Sequence, residues 1–365
     1  MNKTFSLYWR DLANGKRTAT VDQLLILLLA PLSLLYSFIQ RVRAGMYRTG
    51  VLKTYRLPRP VVSIGNITVG GTGKTPVTTY IARLLLGQGY KVAVLSRGYG
   101  GSLEGETAVV SDGSTIMLTP RECGDEPYLL ATTVPGLMVV IGTDRYAAGR
   151  LAMEQLSPDI FLLDDGFQHL RLHRDLNILL LDYAHPFGNN WTLPAGLLRE
   201  PKGAAGRADL VILTRCPEGT TLDHPSTGIP NCASYHRLTD LLPLSGGLPV
   251  PFSDLTGSKV LAFAGIADPT SFFNGLESRG LNLVHTIRLP DHATYTKSEL
   301  SAIMEAMDTH GAEAAVTTEK DGVKLQGLPP ELRKRILLAR LELIIPEPSL
   351  LKDSLRNLLQ KQLHL

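Results

Sequence analysis

Residues 61–76 read VVSIGNITVGGTGKTP, and this stretch decides which fold the rest of the chain must complete. It ends in Gly-Lys-Thr, the end of the phosphate-binding pattern G-x-x-x-x-G-K-[ST], but Thr68 stands where the pattern has its first glycine. An apolar run at 61–64 precedes the loop, and an apolar-periodic stretch begins at Lys74. Strand, glycine-rich turn and helix is the order in which a phosphate loop points backbone N–H groups at an anion. The segment therefore predicts a nucleotide-binding loop despite the missing glycine.

The residue types in this loop suit ATP with Mg²⁺. Three glycines supply the backbone freedom that a close approach to phosphate requires, and Thr68 adds only a hydroxyl at the turn. Lys74 is expected to reach the β- and γ-phosphates, and the Thr75 hydroxyl is expected to hold Mg²⁺. The predicted ATP-binding residues of the loop are Thr68, Val69, Gly70, Gly71, Thr72, Gly73, Lys74 and Thr75. A glycine-rich turn that binds no nucleotide is the alternative interpretation.

A second apolar run ends in two carboxylates. Residues 159–169 read DIFLLDDGFQH, the pattern of a Walker B strand. One of Asp164 and Asp165 is expected to hold Mg²⁺ or its water, while the other positions a reactant. The alternative is a strand end with solvated aspartates.

Short β-branched runs alternate with helical stretches from Arg59 onward, which is typical of βαβ units. The predicted strands cover residues 61–64, 91–95, 137–141, 160–163, 178–181 and 210–213. A second set begins with strands at 259–265 and within 312–325. The pattern predicts an α/β fold of the P-loop NTPase type, with a mostly parallel sheet flanked by helices and a second, smaller α/β lobe.

The N-terminal segment is basic and apolar. Residues 1–60 hold ten Lys and Arg against two Asp, a net charge of +8, so the rest of the chain carries −5 of the overall +3. This asymmetry argues against a nucleic-acid-binding protein. Residues 24–39 read LLILLLAPLSLLYSFI and are followed by Arg41 and Arg43. The run predicts a helix lying in a membrane surface, with a buried core helix and a true membrane span as alternatives.

We expect four segments. They are a membrane-associating segment at 1–56, a P-loop kinase core at 57–216, a Pro-, Gly- and Ser-rich linker at 217–257, and a C-terminal α/β lobe at 258–365. The chain has three cysteines and no C-x-x-C spacing, which favours a reducing cytoplasm over a disulfide framework or a zinc site.

Eight phrases occur in a fixed order along the chain. They are GNITVGGTGKTP (65–76), SRGYGG (96–101), GDEPYLLA (124–131), DDGFQH (164–169), LPAGLLREP (193–201), FAGIADP (263–269), LPDHATYT (289–296) and TTEKDGVKL (317–325). In this order and spacing they resemble the lipid A 4'-kinase (tetraacyldisaccharide 4'-kinase) family. The resemblance covers nearly the whole chain.

The resemblance implies an activity and a place. A member of this family moves the γ-phosphoryl group of ATP to the 4'-hydroxyl of a tetraacylated glucosamine disaccharide 1-phosphate, giving lipid IVA. Such an enzyme works with Mg²⁺ at the cytoplasmic face of the inner membrane of a Gram-negative bacterium. A substrate with four acyl chains stays in the bilayer, which gives the N-terminal segment a function. Neither a nucleic acid nor an obligate protein partner is implied.

The resemblance also implies residue roles. It places Asp125 and His292 as an acid/base pair, although Asp125 alone reads equally as a helix N-cap. Arg199 is expected to bind phosphate, and Glu200 to add a carboxylate to the metal set of Thr75, Asp164 and Asp165. Further candidates are Lys320 and Asp321 for the nucleotide, and Arg145, Gln168 and Arg171 for substrate or phosphate. Surface ion pairs and turns explain several of these equally well.

Two rival functions fit the bare P-loop. One is a regulatory NTPase whose γ-phosphate orders a segment that a protein partner reads, and the other is an ATP-dependent ligase. The acceptor separates them, since a kinase incorporates phosphate into a glycolipid, whereas a switch hydrolyses ATP under the control of a partner.

Overall fold

The computed structural model describes residues 8–9, 11–220, 222 and 228–363, without the side chains of 361–363. Residues 1–7 and 10 of the predicted membrane-associating segment lie outside the described residues, as do 221 and 223–227 of the predicted linker and 364–365 of the predicted C-terminal lobe.

The first long element is helix α1, Thr20–Arg48, which runs through Pro31 for 29 residues. One face is fastened to the protein, because Ser33 Oγ donates to Thr192 O at 2.9 Å and accepts from Ala195 N at 3.0 Å. The other face is exposed, and Leu28 keeps 74% of its surface in solvent. Only 17% of the most apolar window of α1 is buried, so the interpretation as a core helix is wrong. Among the described residues, α1 alone is long and apolar enough to cross a membrane.

Eight strands form the first sheet. They are β1 Val61–Gly65, β2 Val92–Ser96, β3 Ala108–Asp112, β4 Met138–Ile141, β5 Ile160–Asp164, β6 Leu176–Asp182, β7 Leu210–Thr214 and β8 Asn231–Ala233. Their order is β3-β4-β2-β5-β1-β6-β7-β8, and every neighbouring pair is parallel except β3 with β4. All five residues of β1 are buried, as in a parallel sheet covered on both faces. The six predicted strands are confirmed, and β3 and β8 are additions.

Helices cover this sheet and follow the strands in sequence. They are α2 Lys74–Leu86, α3 Pro120–Cys123, α4 Asp125–Thr133 and α5 Arg145–Gln155, with a 3₁₀ turn at Lys202–Arg207. Helix α2 buries Val77, Ile81 and Leu85 at helical spacing against the sheet. Because α2 starts directly at the phosphate loop, this packing fixes the direction of its N-terminus.

A second sheet has five strands, β9 Tyr235–Pro243, β10 Lys259–Ala264, β11 Asn282–Arg288, β12 Ala314–Thr318 and β13 Ile336–Ile344. Their order is β11-β10-β12-β13-β9, with β9 antiparallel to β13 and the other pairs parallel. The accompanying helices are α6 Pro269–Ser278, α7 Lys297–Thr309, α8 Glu319–Gly322 and α9 Pro330–Lys334, with a 3₁₀ turn at Phe252–Leu255. The predicted strands at 259–265 and within 312–325 are confirmed as β10 and β12.

The chain passes twice between the sheets. Ser234 alone separates β8 in the first sheet from β9 in the second, and it is fully buried with its Oγ donating to Leu213 O at 3.1 Å. After β13 the last helix, α10 Ser349–Leu363, returns to the first sheet and buries Leu351 and Leu355 in its core. The segment predicted as an irregular linker therefore contains two strands, β8 and β9. Most of its Pro and Gly residues lie before or after these strands, so composition alone did not reveal them. We call the first sheet with α1–α5 and α10 the first lobe, and residues 235–344 the second lobe.

Candidate active site

The phosphate loop joins β1 to α2. Gly73 caps α2 with φ 78°, in the left-handed region, and a Cβ at this position would lie 3.3 Å from His236 Nε2. Glycine is the residue that meets both demands without strain. Thr68 instead forms an antiparallel bridge with Leu198. The first glycine of the usual pattern is thus replaced by a residue that ties the loop to the segment carrying Arg199.

Asp165 lies between two cations of the site. Its Oδ2 accepts from Arg199 Nη1 at 2.8 Å, and its Oδ1 lies 3.7 Å from Lys74 Nζ. Burial opposes the charge on Asp165, but Lys74 and Arg199 outweigh it and hold the pKa of this carboxyl below its usual range. Gln168 Oε1 lies 3.4 Å from the same Arg199 nitrogen. Four predicted site residues therefore meet at this edge of the sheet.

Asp164 has the opposite environment. It is 2% exposed, its Oδ2 accepts from Ser96 Oγ at 3.3 Å, and its Oδ1 is buried without a hydrogen-bond partner. Burial raises the pKa of Asp164, and the nearby carboxylate of Glu126 acts in the same direction. A buried carboxylate oxygen without a partner fits a bound cation, since pairing with a cation would favour its ionised form.

The donor set at this point fits Mg²⁺, which takes one or two carboxylates together with phosphate oxygens and water. Asp164 offers its unpaired Oδ1, and Thr75 lies in the first turn of α2 beside the loop. Glu200 is placed differently, because it is 2% exposed and forms a bidentate ion pair with Arg207 at 2.7 and 2.8 Å. Among the described residues, no three His, Cys, Asp or Glu side chains group so that they could hold a metal. The metal role predicted for Glu200 has no support in this geometry.

Asp125 and His292 come together from the two lobes. Asp125 is the first residue of α4, whose N-cap is Gly124, so the interpretation of Asp125 as the N-cap is wrong. Its Oδ2 lies 3.3 Å from His292 Nδ1 and 2.9 Å from Lys324 Nζ. Burial opposes the charge on Asp125, but the contacts with His292 and Lys324 outweigh it and lower the pKa of the carboxyl. The geometry therefore holds Asp125 ionised beside the imidazole.

Lys320 contacts the other side of the same imidazole. Its Nζ lies 3.3 Å from His292 Nε2 and 3.4 Å from Glu126 Oε1. An ammonium group only donates, so this contact corresponds to the tautomer in which Nε2 accepts and Nδ1 carries the proton that faces Asp125. Asp321 is fully buried and accepts from Gly265 N at 3.1 Å and Thr318 Oγ1 at 2.7 Å. Lys320 thus lies in the site, whereas Asp321 fastens a turn of the second lobe.

The two remaining arginine candidates have partners outside the phosphate loop. Arg145 is 5% exposed and donates to Gly142 O at 2.6 Å and to the backbone oxygen of Asp164 at 3.4 Å. Arg145 therefore stabilises the C-terminal end of β5 through the backbone oxygen of its last residue. Arg171 lies 3.3 Å from Asp144 and stacks over the Tyr55 ring at 5.1 Å. Substrate contact by either residue stays a prediction.

A cleft of about 1070 Å³ separates the lobes and has the phosphate loop as one wall. Arg215, at the end of β7, donates to Gly71 O in this wall and pairs with Asp182 at 3.0 Å. His236 of β9 lies beside Gly73, and burial together with Arg215 lowers the pKa of its imidazole to about 4. His236 is therefore neutral at pH 7. The size of the cleft suits a nucleotide with its phosphates at the loop.

Three site residues adopt left-handed backbone conformations although they carry side chains. These are Asp165 at φ 53°, Arg215 at φ 59° and His292 at φ 59°. Such conformations are costly for residues other than glycine and persist where the surroundings fix them. The contacts of these three side chains therefore hold the backbone in a conformation that it would not adopt freely.

Comparison with known proteins gives the family. A profile described as tetraacyldisaccharide-1-P 4'-kinase (LpxK) matches residues 25–360. A tetraacyldisaccharide 4'-kinase from Pelobacter propionicus is 62% identical over 361 residues, covering 99% of this chain and all of that protein. The enzyme of the same name from Geobacter sulfurreducens is 54% identical over 87% of this chain and 89% of its own. The solved structure of "apo" form LpxK from Aquifex aeolicus in complex with ATP is 36% identical, with a TM-score of 0.77 over 92% of this chain and 99% of that chain.

The chain belongs to the tetraacyldisaccharide 4'-kinase family. The resemblance predicted from the eight phrases is confirmed, as is the α/β fold with its P-loop and its apolar N-terminal helix. The family identity also makes the chain a kinase.

The structure adds site residues of this kinase that sequence reasoning did not select. Asp291 Oδ1 lies 3.7 Å from Lys320 Nζ and 3.9 Å from His292 Nε2. Lys324 and Asp291 lie within phrases that carried the resemblance, and Glu126 is next to Asp125. Charge alone did not distinguish them from solvated residues. Arg215 and His236 had no local signal, because their contacts with the phosphate loop depend on how β7 and β9 are arranged.

We predict that Glu200→Gln destabilises the protein by about 2–3 kcal/mol, because it leaves the Arg207 guanidinium without its carboxylate in a largely buried site. Urea unfolding measures the loss. Glu154→Gln is the matched control, since its pair with Arg150 is exposed and worth less than about 1 kcal/mol. Normal stability of Glu200→Gln together with a raised Mg²⁺ requirement for activity would contradict this assignment and return Glu200 to the metal set.

Proposed function

We propose that the residues at the seam between the lobes transfer the γ-phosphoryl group of ATP to the 4'-hydroxyl of tetraacyldisaccharide 1-phosphate, giving lipid IVA. The observation that carries this proposal is one cleft lined by the phosphate loop and by Glu126, Asp291 and Lys320, which are the chain neighbours and contacts of the Asp125–His292 pair. The family identity names the acceptor, and the related structure from Aquifex aeolicus was solved with ATP.

ATP would lie in the cleft with its phosphates on the loop. Backbone N–H groups around Gly71 and Gly73 and the N-terminus of α2 face the phosphate oxygens, and Lys74 adds a positive charge. Asp165 orients the Lys74 ammonium from 3.7 Å. Thr75 and Asp164 would hold Mg²⁺, which neutralises charge on the β- and γ-phosphates when bound.

The chemical step needs a nucleophile and a proton acceptor. The 4'-oxygen forms a bond to the γ-phosphorus, the bond from that phosphorus to the β,γ-bridging oxygen breaks, and ADP leaves with the electron pair. The hydroxyl proton passes to Asp125, whose carboxylate is ionised and oriented by His292. Both protein contacts of Asp125 involve Oδ2, which leaves Oδ1 for the hydroxyl.

In this proposal Arg199 and Gln168 bind the anionic part of the disaccharide. Arg199 lies on the segment next to the phosphate loop, and its guanidinium can share a phosphate while it remains paired with Asp165. Gln168 is held by donation from its Nε2 to Asn66 O at 2.7 Å. These residues position the substrate rather than take part in bond formation.

Membrane association follows from α1 and the acyl chains of the substrate. The exposed face of α1 is apolar over several turns, and the C-terminal turns of the same helix carry Arg41, Arg43 and Arg48, which suit anionic headgroups. We place the enzyme at the cytoplasmic face of the inner membrane of a Gram-negative bacterium, where ATP and the lipid substrate meet.

We predict that the wild type moves labelled γ-phosphate from Mg-ATP to tetraacyldisaccharide 1-phosphate in detergent micelles, and that Lys74→Ala loses this transfer because the loop loses its phosphate cation. Exposed Lys91→Ala is the control and should retain it. Intact hydrolysis without label in the lipid would move the chain to the class of regulatory NTPases.

We predict that Asp125→Ala lowers kcat by roughly 10²–10⁴-fold with little change in the KM for ATP, because the variant lacks the proton acceptor. Steady-state kinetics on the lipid acceptor measure both values. Asp353→Ala removes an exposed carboxylate and should leave kcat unchanged. A near-normal kcat for Asp125→Ala would remove Asp125 from the mechanism.

We predict that the double variant Leu28→Glu, Leu35→Glu reduces binding to vesicles of anionic phospholipid by tenfold or more, because it places two charges on the exposed apolar face of α1. Sedimentation with vesicles measures the bound fraction. Leu248→Glu is the control, since Leu248 is 86% exposed on the second lobe. Equal binding of the double variant and the wild type would contradict a role of α1 at the membrane.

A further inference from the structure

Lys324 is a buried lysine next to the proposed proton acceptor. It follows α8 in the second lobe, and 10% of its side chain is exposed. A lysine is rarely buried to this extent unless it is paired. Its ammonium lies 2.9 Å from Asp125 Oδ2 on the first lobe, and the Asp125 side chain is 17% exposed. This contact crosses the seam between the lobes at the point where the acceptor hydroxyl must be deprotonated.

The contact shares one oxygen with the imidazole. Oδ2 of Asp125 faces Lys324 Nζ and His292 Nδ1, and the latter distance is 3.3 Å. The Lys324 contact is an ion pair rather than an aligned hydrogen bond, and with the imidazole it puts two partners on the Oδ2 side of the carboxylate. This arrangement favours one rotation of the carboxylate plane, with Oδ2 toward both partners. With His292 alone, one hydrogen bond of 3.3 Å would leave this orientation weakly determined.

Neighbouring charges do not replace Lys324. Close to Asp125 in the chain are Glu122, Cys123 and Glu126, none of which is a cation. From the second lobe, the Asp291 carboxylate lies 3.9 Å from His292 Nε2, and Lys320 contacts His292, Glu126 and Asp291 rather than Asp125. Lys324 is therefore the cation in direct contact with Asp125 among the described residues.

We propose that Lys324 is a positioning residue of the phosphotransfer site, which reaches across from the second lobe to hold the Asp125 carboxylate ionised and turned toward the acceptor hydroxyl. This inference rests on the proposed role of Asp125. Two residues of the second lobe, Lys324 and His292, then contact Asp125 on the first lobe. Correct positioning of Asp125 therefore requires the two lobes to be in contact.

The test compares Lys324→Met, which removes the charge at similar length, with Lys324→Arg, which keeps it. We expect Lys324→Met to lower kcat roughly tenfold to a hundredfold with an unchanged KM for ATP. Loss of the cation raises the pKa of Asp125, so the acid limb of the kcat profile should move up by about one pH unit. Lys324→Arg should retain most of kcat and the wild-type profile. Lys334→Met removes a lysine from an exposed ion pair on the same lobe and should behave as wild type.

The second measurement does not depend on activity. Carbon-13 NMR of the carboxyl groups, with Asp125→Asn to assign its signal, follows the titration of Asp125 in the full-length wild type and in Lys324→Met. The apparent pKa of Asp125 should rise in the variant, because a nearby positive charge is gone. An unmoved acid limb together with an unmoved Asp125 titration would overturn the proposal. Equal loss of kcat in Lys324→Met and Lys324→Arg, without a pH shift, would also overturn it in favour of a packing role.

Failure of the proposed function has a different signature. If the wild type transfers no phosphate to the lipid acceptor, the function is wrong, and with it the role of Lys324 in phosphotransfer. If the wild type is active and the Lys324 variants share its rate and pH profile, the function stands and this inference fails.

Discussion

The register between β1 and β5 is the constraint on which the site depends. The two strands are parallel neighbours, with Ile64 opposite Asp164, so the phosphate loop and the acidic pair leave the sheet at the same edge. Each strand is buried along its whole length, and a shift by one residue would move every side chain to the other face. The core therefore fixes the distance between the two halves of the site. Lys74 can reach Asp165 because the register brings them together.

Adjacent aspartates acquire different properties from this arrangement. Asp164, as the last residue of β5, keeps its side chain inside the sheet edge, where burial raises its pKa. Asp165 has left the strand in a left-handed conformation and turns toward Lys74 and Arg199, which lower its pKa. A bound cation would therefore stabilise the ionised form of Asp164, whereas Asp165 is already paired with Lys74 and Arg199. This division is the reason for proposing Asp164 rather than Asp165 as the metal ligand.

The sequence predicted those parts of the fold and site that depend on local pattern. Strands at 61–64 and 160–163, the helix that starts at Lys74 and the acidic pair all follow from short-range periodicity and spacing. The roles of Asp125 and His292 came only through the family resemblance, since these residues are 167 positions apart and lie on different lobes. The partner of Glu200 was not predictable, because Arg207 is one of many arginines and only the 3₁₀ turn between them brings the two together. The exposure of α1 was also open, since an apolar run fits a core and a membrane surface equally well.

The docking of α1 gives the proposed membrane role a geometric consequence. Ser33 and Ser37 bind Thr192, at the start of the segment that leads to Arg199. Further along the helix, Arg43 donates to the backbone oxygen of Gln168 at 3.3 Å. The helix that would enter the lipid surface therefore contacts the two segments proposed to bind the disaccharide. If α1 lies in the lipid surface as proposed, the hydrogen bonds that hold α1 to these segments would set the height of the site above that surface, where a substrate with its acyl chains in the bilayer presents its sugar.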